Sequence, residues 1–286
     1  MGARVNAILF AARLGGRFAA LWIGLASASA ADVAVPAPGD AVPGANGVTY
    51  LVLLFEIVPD LEQADAVYRG RTVVPLRHIA GPDLQAEPPQ EPTVADFSVL
   101  PLEGGRILLL VDLGMAGDAA EGYAVLAIFD PAGKPRLVDA ADVAFDRMTW
   151  FLEPVMLDLG AGRHAALTMS MHSNSSQAYV TTGILLVGAD RLSLVDSVFT
   201  FSDKTCAFDR TQEARIESSG AAVPADIVVT VDERTMPTGD DCGGEPLPEP
   251  MQRTIRATYS WNAAGSRYLV DGDALQKLAS ENAERF

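Results

Sequence analysis

Short apolar runs of strand length alternate along the chain with polar segments rich in glycine, proline, aspartate and asparagine, a rhythm that predicts β-strands joined by turns. The clearest stretch begins GRILLLVDLG at Gly105, crosses the polar loop MAGDAAEG, continues as YAVLAIFD, turns at PAGKP and closes with RLVDAADV. A second stretch repeats that order from Gly162: GRHAALTMSM, HSNSSQA, YVTTGILLV, the turn GAD, then RLSLVDSVFTF. Gly105 and Gly162 lie 57 residues apart, Tyr123 and Tyr179 lie 56 apart, and Asp139 and Asp196 again lie 57 apart. Three landmarks in step predict an internal repeat of three-stranded meanders. Gly133 and Gly188 mark the hairpin turns, where positive φ costs glycine little. A looser third copy runs from DIVVTVDERT at Asp226 through RTIRATYSWN, the turn AAGS and RYLVDG, ending at Asp271. Such units bury their apolar faces only against neighbours. The fold class expected is therefore all-β, with antiparallel three- to four-stranded meanders arranged as a propeller or a sandwich, and a short C-terminal helix.

Outside the repeats the pattern is weaker. Residues 31–47 (ADVAVPAPGDAVPGANG) lack periodicity and predict a flexible lead. VTYLVLLFEIV from Val48 predicts a central strand ended by Pro59, Leu61 to Tyr68 a helical turn or two, and RTVVPLRHI an edge strand broken at Pro75. Four prolines between Gly81 and Thr93 predict a loop, followed by a strand at FSVLPL. The segment from Ala144 to Leu157 is a linker whose Trp150, Phe151 and Pro154 are expected to pack a sheet face. DGDALQKLASENAERF predicts a helix capped by Asp271 or Asp273.

The first thirty residues hold Arg4, Arg13 and Arg17 and no acid, then the apolar run FAALWIGLA and the small residues before Ala31. That is the form of a secretory signal peptide, with an Ala-x-Ala site at Ala28 to Ala30. The organisation expected is a leader at 1–30, a linker at 31–47 and a single β-rich domain at 48–286. Losing the three arginines takes the formal charge from −16 to −19. So acidic a chain repels nucleic acid and anionic membrane surfaces, and no second apolar run is long enough to span a bilayer. The partners left are an unidentified protein or small molecule, in a periplasmic or extracellular location. Cys206 and Cys242, the only cysteines, are expected to pair in that oxidising compartment.

Candidate chemistry is sparse. No G-x-S-x-G elbow accompanies the three histidines, His78, His164 and His172. Met169 and Met171 in TMSMH could join His172 on copper(I), but strand alternation sets the methionines and the histidine on opposite faces. The acids Asp232, Glu233, Asp240, Asp241 and Glu245 lack the order of a calcium loop. No catalytic, cofactor-binding or metal-binding residue is assigned and no cofactor is implied. Asn174-Ser175-Ser176 is a formal glycosylation acceptor, and HSNSSQ reads as an exposed polar loop, which makes His172 and Asn174 the ligand-contact candidates.

LDLGAGRHAALTMSM, followed by a loop and a hairpin, resembles an FG-GAP or integrin-like propeller blade, with Asp158, Gly160 and Gly162 matching its acidic, glycine-rich turn. The likeness covers Leu157 to Val198 and faintly Gly105 to Val143. Ala161 and Ala165 stand where that family's further calcium carboxylates would be, so the resemblance implies a fold and no calcium site. The function expected is non-catalytic ligand or partner binding in the periplasm or envelope, with a secreted hydrolase using an acid-based site as the alternative. N-terminal sequencing of the exported protein is expected to begin at Ala31; a chain retaining Arg17 would contradict the leader.

Overall fold

A computed structural model describes residues 33–84, 86–115, 121–239, 242 and 247–285. The leader at 1–30 and the acidic positions Asp240, Asp241 and Glu245 lie outside the described residues. The chain is mainly antiparallel β-structure with a short C-terminal helix. Its first part supplies α1 (Tyr50–Leu54), β1 (Glu62–Ala64), β2 (Val67–Arg69), β3 (Arg77–His78), β4 (Thr93–Val94) and β5 (Ser98–Pro101). Next come β6 (Ile107–Met115), β7 (Gly122–Asp130) and β8 (Arg136–Asp142). A long meander follows: β9 (Met148–Gly160), β10 (Arg163–Ser173), β11 (Gln177–Val187), β12 (Leu192–Lys204), β13 (Phe208–Ser219), β14 (Asp226–Pro237), β15 (Met251–Asn262) and β16 (Arg267–Val270). Helix α2 (Ala274–Ala283) ends the chain.

Among the described residues these strands form three sheets, ordered β1-β2-β4, β3-β8-β7-β6-β5, and β9 to β16 in sequence. The five-stranded sheet is a middle layer. Tyr123, Val125, Ala127 and Phe129 pack one face of β7 against Leu53, Leu54, Ile57 and Phe97 of the N-terminal part. Ala124, Leu126 and Ile128 pack the other face against Phe151, Ala166 and Leu185 of the long meander. Burial on both faces is why β7 reads as an unbroken apolar run.

The first part departs from the sequence pattern. TYLVLLFEIV forms a helical turn and further turns where a strand was expected. Leu53, Leu54, Ile57 and Val58 are buried while Val52 and Phe55 are exposed, a helical spacing hidden inside an apolar run too short for periodicity to decide. Leu61 to Tyr68 forms most of the β1–β2 hairpin, its turn carried by Asp65 at φ 56°, a conformation aspartate tolerates. Of RTVVPLRHI only Arg77 and His78 pair, parallel to β8. In the expected lead, Ala34 bridges Val99, Ala41 bridges Thr49, and Val42 is buried.

β6–β8, β10–β12 and β14–β16 are each antiparallel meanders, and Gly105 and Gly162 both adopt positive φ just before or at a strand start. The closing aspartates act as ties. Asp139 accepts from Arg77 and from the Leu192 amide, both at 2.7 Å, binding the middle layer to β12. Asp196 accepts from the Tyr259 hydroxyl and Asp271 from the Thr258 amide.

The β12–β13 ladder consists of two residue pairs, Asp203 with Arg210 and Lys204 with Asp209, after which the strands part. Side chains replace backbone partners at the split: Gln212 Oε1 accepts from the Phe201 amide and Ser202 Oγ accepts from the Gln212 amide. Helix α2 packs against β12 and β15. Buried Leu278 joins the inner core and buried Asn282 exchanges amide hydrogen bonds with Gln212 at 2.9 and 2.8 Å. Asp273 begins the helix without a side-chain cap and pairs with Lys277 instead. Fully buried Glu233 of β14 anchors this region. Arg253 reaches its Oε2 at 2.6 Å and also binds Glu281, while Arg285 lies 2.9 Å and Arg210 3.7 Å from Oε1 as charge contacts. The Cys206–Cys242 disulfide is formed and ties the β12–β13 turn to the β14–β15 connection. No helix among the described residues is long and apolar enough to cross a membrane.

Removing one partner from a buried ion network leaves the others desolvated and unpaired, so Glu233→Ala is expected to lower unfolding free energy by about 3 kcal/mol. Arg215→Ala, which breaks the exposed pair with Asp232, should cost under about 1 kcal/mol. Urea denaturation of both variants checks the contrast; equal losses would contradict the anchoring role of Glu233.

Candidate functional site

Residues 143–147 carry the chain from β8 in the middle layer to β9 in the long meander, and a polar cleft is built around this crossing. Gly122 at the start of β7 donates its amide to the Asp146 carbonyl at 3.2 Å. A Cβ at position 122 would lie 2.4 Å from that oxygen, so glycine alone permits the approach. His78 closes the other side from the end of β3. Its side chain is within hydrogen-bond distance of the Ala144 carbonyl at Nε2, 2.9 Å, and Nδ1 accepts the Ala80 amide at 3.2 Å. An acceptor role at Nδ1 requires the neutral ring with its proton on Nε2. The ring also meets Phe145 edge-on at 5.3 Å.

Between these elements and the turn at Pro82–Leu84 lies a cleft of about 230 Å³, lined by His78, Asp83, Leu84, Glu121, Phe145 and Asp146 among others. Three of its described lining residues are carboxylates and none is lysine or arginine.

Asp146 connects the cleft to the sequence-predicted His172. His172 Nδ1 lies 2.6 and 2.7 Å from the two Asp146 oxygens, and its ring stacks on Tyr179 at 4.3 Å and 8° between planes. The carboxylate fixes the ring through Nδ1, and Nε2 has no hydrogen-bond partner among the described residues. Asn174 plays another part. Its Oδ1 accepts the Ser176 and Gln177 amides and its Nδ2 donates to Gln177 Oε1, so the amide shapes the β10–β11 turn. Met169 and Met171 stand across β9 from Trp150 and Met148, on the face of β10 opposite His172. No group of three or more His, Cys, Asp or Glu among the described residues is placed to hold a metal ion.

Behind the cleft wall sits Asp142, 1% exposed. Its Oδ1 accepts the Ala124 and Ala144 amides at 3.2 and 3.0 Å, while Oδ2 has no partner among the described residues. Burial pushes its carboxyl up to about 6, against the opposing pull of the two amide hydrogen bonds. Burial, then the Asp142 charge, pushes the Tyr123 hydroxyl up to about 12. Asp112 is raised by burial too, and accepts the Gly114 and Thr149 amides at 2.8 and 2.9 Å. Asp142 and Asp112 thus hold the two ends of the crossing by its backbone, at Ala144 and Thr149.

Sequence reasoning singled out His172, which binds Asp146 from outside the cleft lining, and missed the cleft itself. Residues 78, 83, 121 and 146 follow no spacing rule, and only the layering brings them together.

A carboxyl raised above its unfolded value binds protons preferentially in the folded state, so its effect on stability is lost progressively as pH climbs from about 4 to about 6. Relative to wild type, Asp142→Asn should therefore gain about 2–3 kcal/mol between pH 4 and pH 7. Asn retains the oxygen that takes the two amides and carries no charge. Urea denaturation across that range checks this, and parallel stability curves would contradict it.

No protein-family model matches this chain, no curated protein matches it in sequence, and no solved structure matches it.

Proposed function

We propose that this is an exported binding protein that takes a small organic cation, such as a di- or polyamine, into the cleft beside His78 and Phe145 without chemically altering it. The observation that carries this reading is the charge of the lining: Asp83, Glu121 and Asp146 face one cavity with no lysine or arginine among the described residues there. His172 neutralises part of the field at Asp146 when protonated, which leaves Asp83 and Glu121 as the two anchors for ammonium groups. The Phe145 ring adds an apolar and cation-attracting wall. Export is supported by the form of the leader and by the Cys206–Cys242 disulfide. The acidic charge of the whole chain draws cations toward the surface.

Titration calorimetry with putrescine and spermidine is expected to give saturable binding that weakens as salt rises, because the partly open cleft is screened. Asp83→Asn with Glu121→Gln should weaken it by roughly tenfold or more, which corresponds to about 1.4 kcal/mol. Absence of saturable amine binding, or identical affinity in the double variant, would overturn the assignment.

A hydrolytic reading is favoured by one observation, the His172 ring held at Nδ1 by Asp146 with Nε2 open, the posture of a general base. Turnover of a chromogenic ester or glycoside that disappears in His172→Gln would replace the binding reading with this one.

A further inference from the structure

The outer end of the β9–β10 pair gathers sulfur in a way the cleft does not explain. In the antiparallel register Met171 stands opposite Met148 and Met169 opposite Trp150. Directly opposed residues place their Cβ atoms about 5 Å apart, and residues two apart on one strand share a face. Three thioethers and an indole therefore converge on one patch. Met148 is 50% exposed, Trp150 36% exposed, and Met169 and Met171 half-buried, so the patch opens to solvent while part of it is seated on the sheet. The β11 residues opposite the methionines, Val180 and Thr182, bring no charge. β9 is also the edge strand of its sheet, so the patch is reachable from the side.

We propose that Met148, Met169 and Met171 bind a soft monovalent cation, copper(I), with the Trp150 indole lying against its open side. Thioethers are neutral, polarisable donors that favour copper(I) and its analogue silver(I) over hard ions such as calcium or magnesium. Three rotatable side-chain torsions let each methionine adjust its sulfur to a common centre, giving a three-sulfur site without backbone movement. An aromatic face then attracts the bound cation and shields it from water. The sequence grouping of Met169, Met171 and His172 names two of these ligands. His172 faces Asp146 on the other side of β10, and Met148 supplies the third sulfur from the neighbouring strand. The site is separate from the acidic cleft, and neither assignment depends on the other.

The test uses the full mature protein with its disulfide formed and its methionine methyl groups carbon-13 labelled, titrated with silver nitrate in chloride-free buffer. Silver(I) is the redox-stable stand-in for copper(I). Saturation at one ion per chain is expected, with shifts confined to the methyls of Met148, Met169 and Met171 and quenching of Trp150 emission. Met236, an exposed methionine of β14, should not move. Met148→Leu and Met171→Leu, which conserve volume and hence folding, should each weaken binding by roughly tenfold or more, while Met236→Leu should leave it unchanged. In a separate titration of the silver-free protein, copper(I) supplied as its acetonitrile complex under nitrogen should shift the same three methyls, and calcium should not. Silver binding that is non-saturable, that shifts all exposed methionines alike, or that persists unchanged in the Met148→Leu, Met171→Leu double variant would overturn the proposal.

Discussion

Burying both faces of β7 is the constraint from which the rest of the described structure follows. A strand with Tyr123, Val125, Ala127 and Phe129 on one face and Ala124, Leu126 and Ile128 on the other needs a layer on each side. The N-terminal part is one cover and the long meander is the other. Because the chain must leave the middle layer to build the second cover, residues 143–147 cross between layers, where strand pairing cannot supply their backbone partners. Asp142 and Ser170 do so instead for the Ala144 and Phe145 amides, Asp112 takes the Thr149 amide just beyond, and at Asp142 the cost is a carboxyl pushed up to about 6 by burial. The cleft is a by-product of that crossing: His78, Phe145 and Asp146 come together because the layers separate there.

The second half solves a different problem. An eight-stranded meander twists, and its two halves part after the second β12–β13 pair. Helix α2 fills the opening with Leu278 and Asn282, and Glu233 holds Arg253 and Arg285 around it. A buried carboxylate with three arginines nearby is a weak source of net stability but a strong selector of one arrangement, since other dockings of α2 would strand the charge. The C-terminus therefore acts as a lock on the sheet and stands apart from the cleft.

Much of this architecture was legible in the chain. The meanders, the C-terminal helix and the disulfide follow from strand alternation, turn glycines, a run of helix formers and cysteine count. Three parts were not legible, each for a physical reason. The run around Leu53 is apolar even at its exposed positions Val52 and Phe55, so the helical period of its burial left no mark in the sequence. β13, FDRTQEARIESS, is half-exposed, with Gln212 and Ile216 as its buried residues, so its polarity hid a strand twelve residues long. The cleft was invisible because its three acids lie on three separate segments; of its neighbourhood only His172 stood in a recognisable polar loop.

β9 shows how one irregularity decides which chemistry faces which side. Its pairing with β10 shifts between Ala166 and Thr168, opposite residues 152–155, where Glu153-Pro154 interrupts the ladder at a free edge as proline can only do there. Before the shift, odd-numbered Phe151 packs toward the middle layer. Beyond it, odd-numbered Leu157 and Leu159 pack into the inner core of the meander. A linker reading of Trp150, Phe151 and Pro154 as one packing group fails for this reason: Phe151 is buried, and Trp150 and Pro154 lie at the surface. Because side chains alternate with period two, an odd number of extra residues, here the four of 152–155 against the one of 167, reverses every position on one side of it. The bulge thereby lets β9 serve two cores at one end, yet present Met148 and Trp150 beside Met171 and Met169 at the other. On β10 the same alternation sends His172 to Asp146 and the neighbouring Met171 to the opposite face. Two unlike surfaces, one acidic and one rich in sulfur, are thus kept apart by the thickness of a single strand.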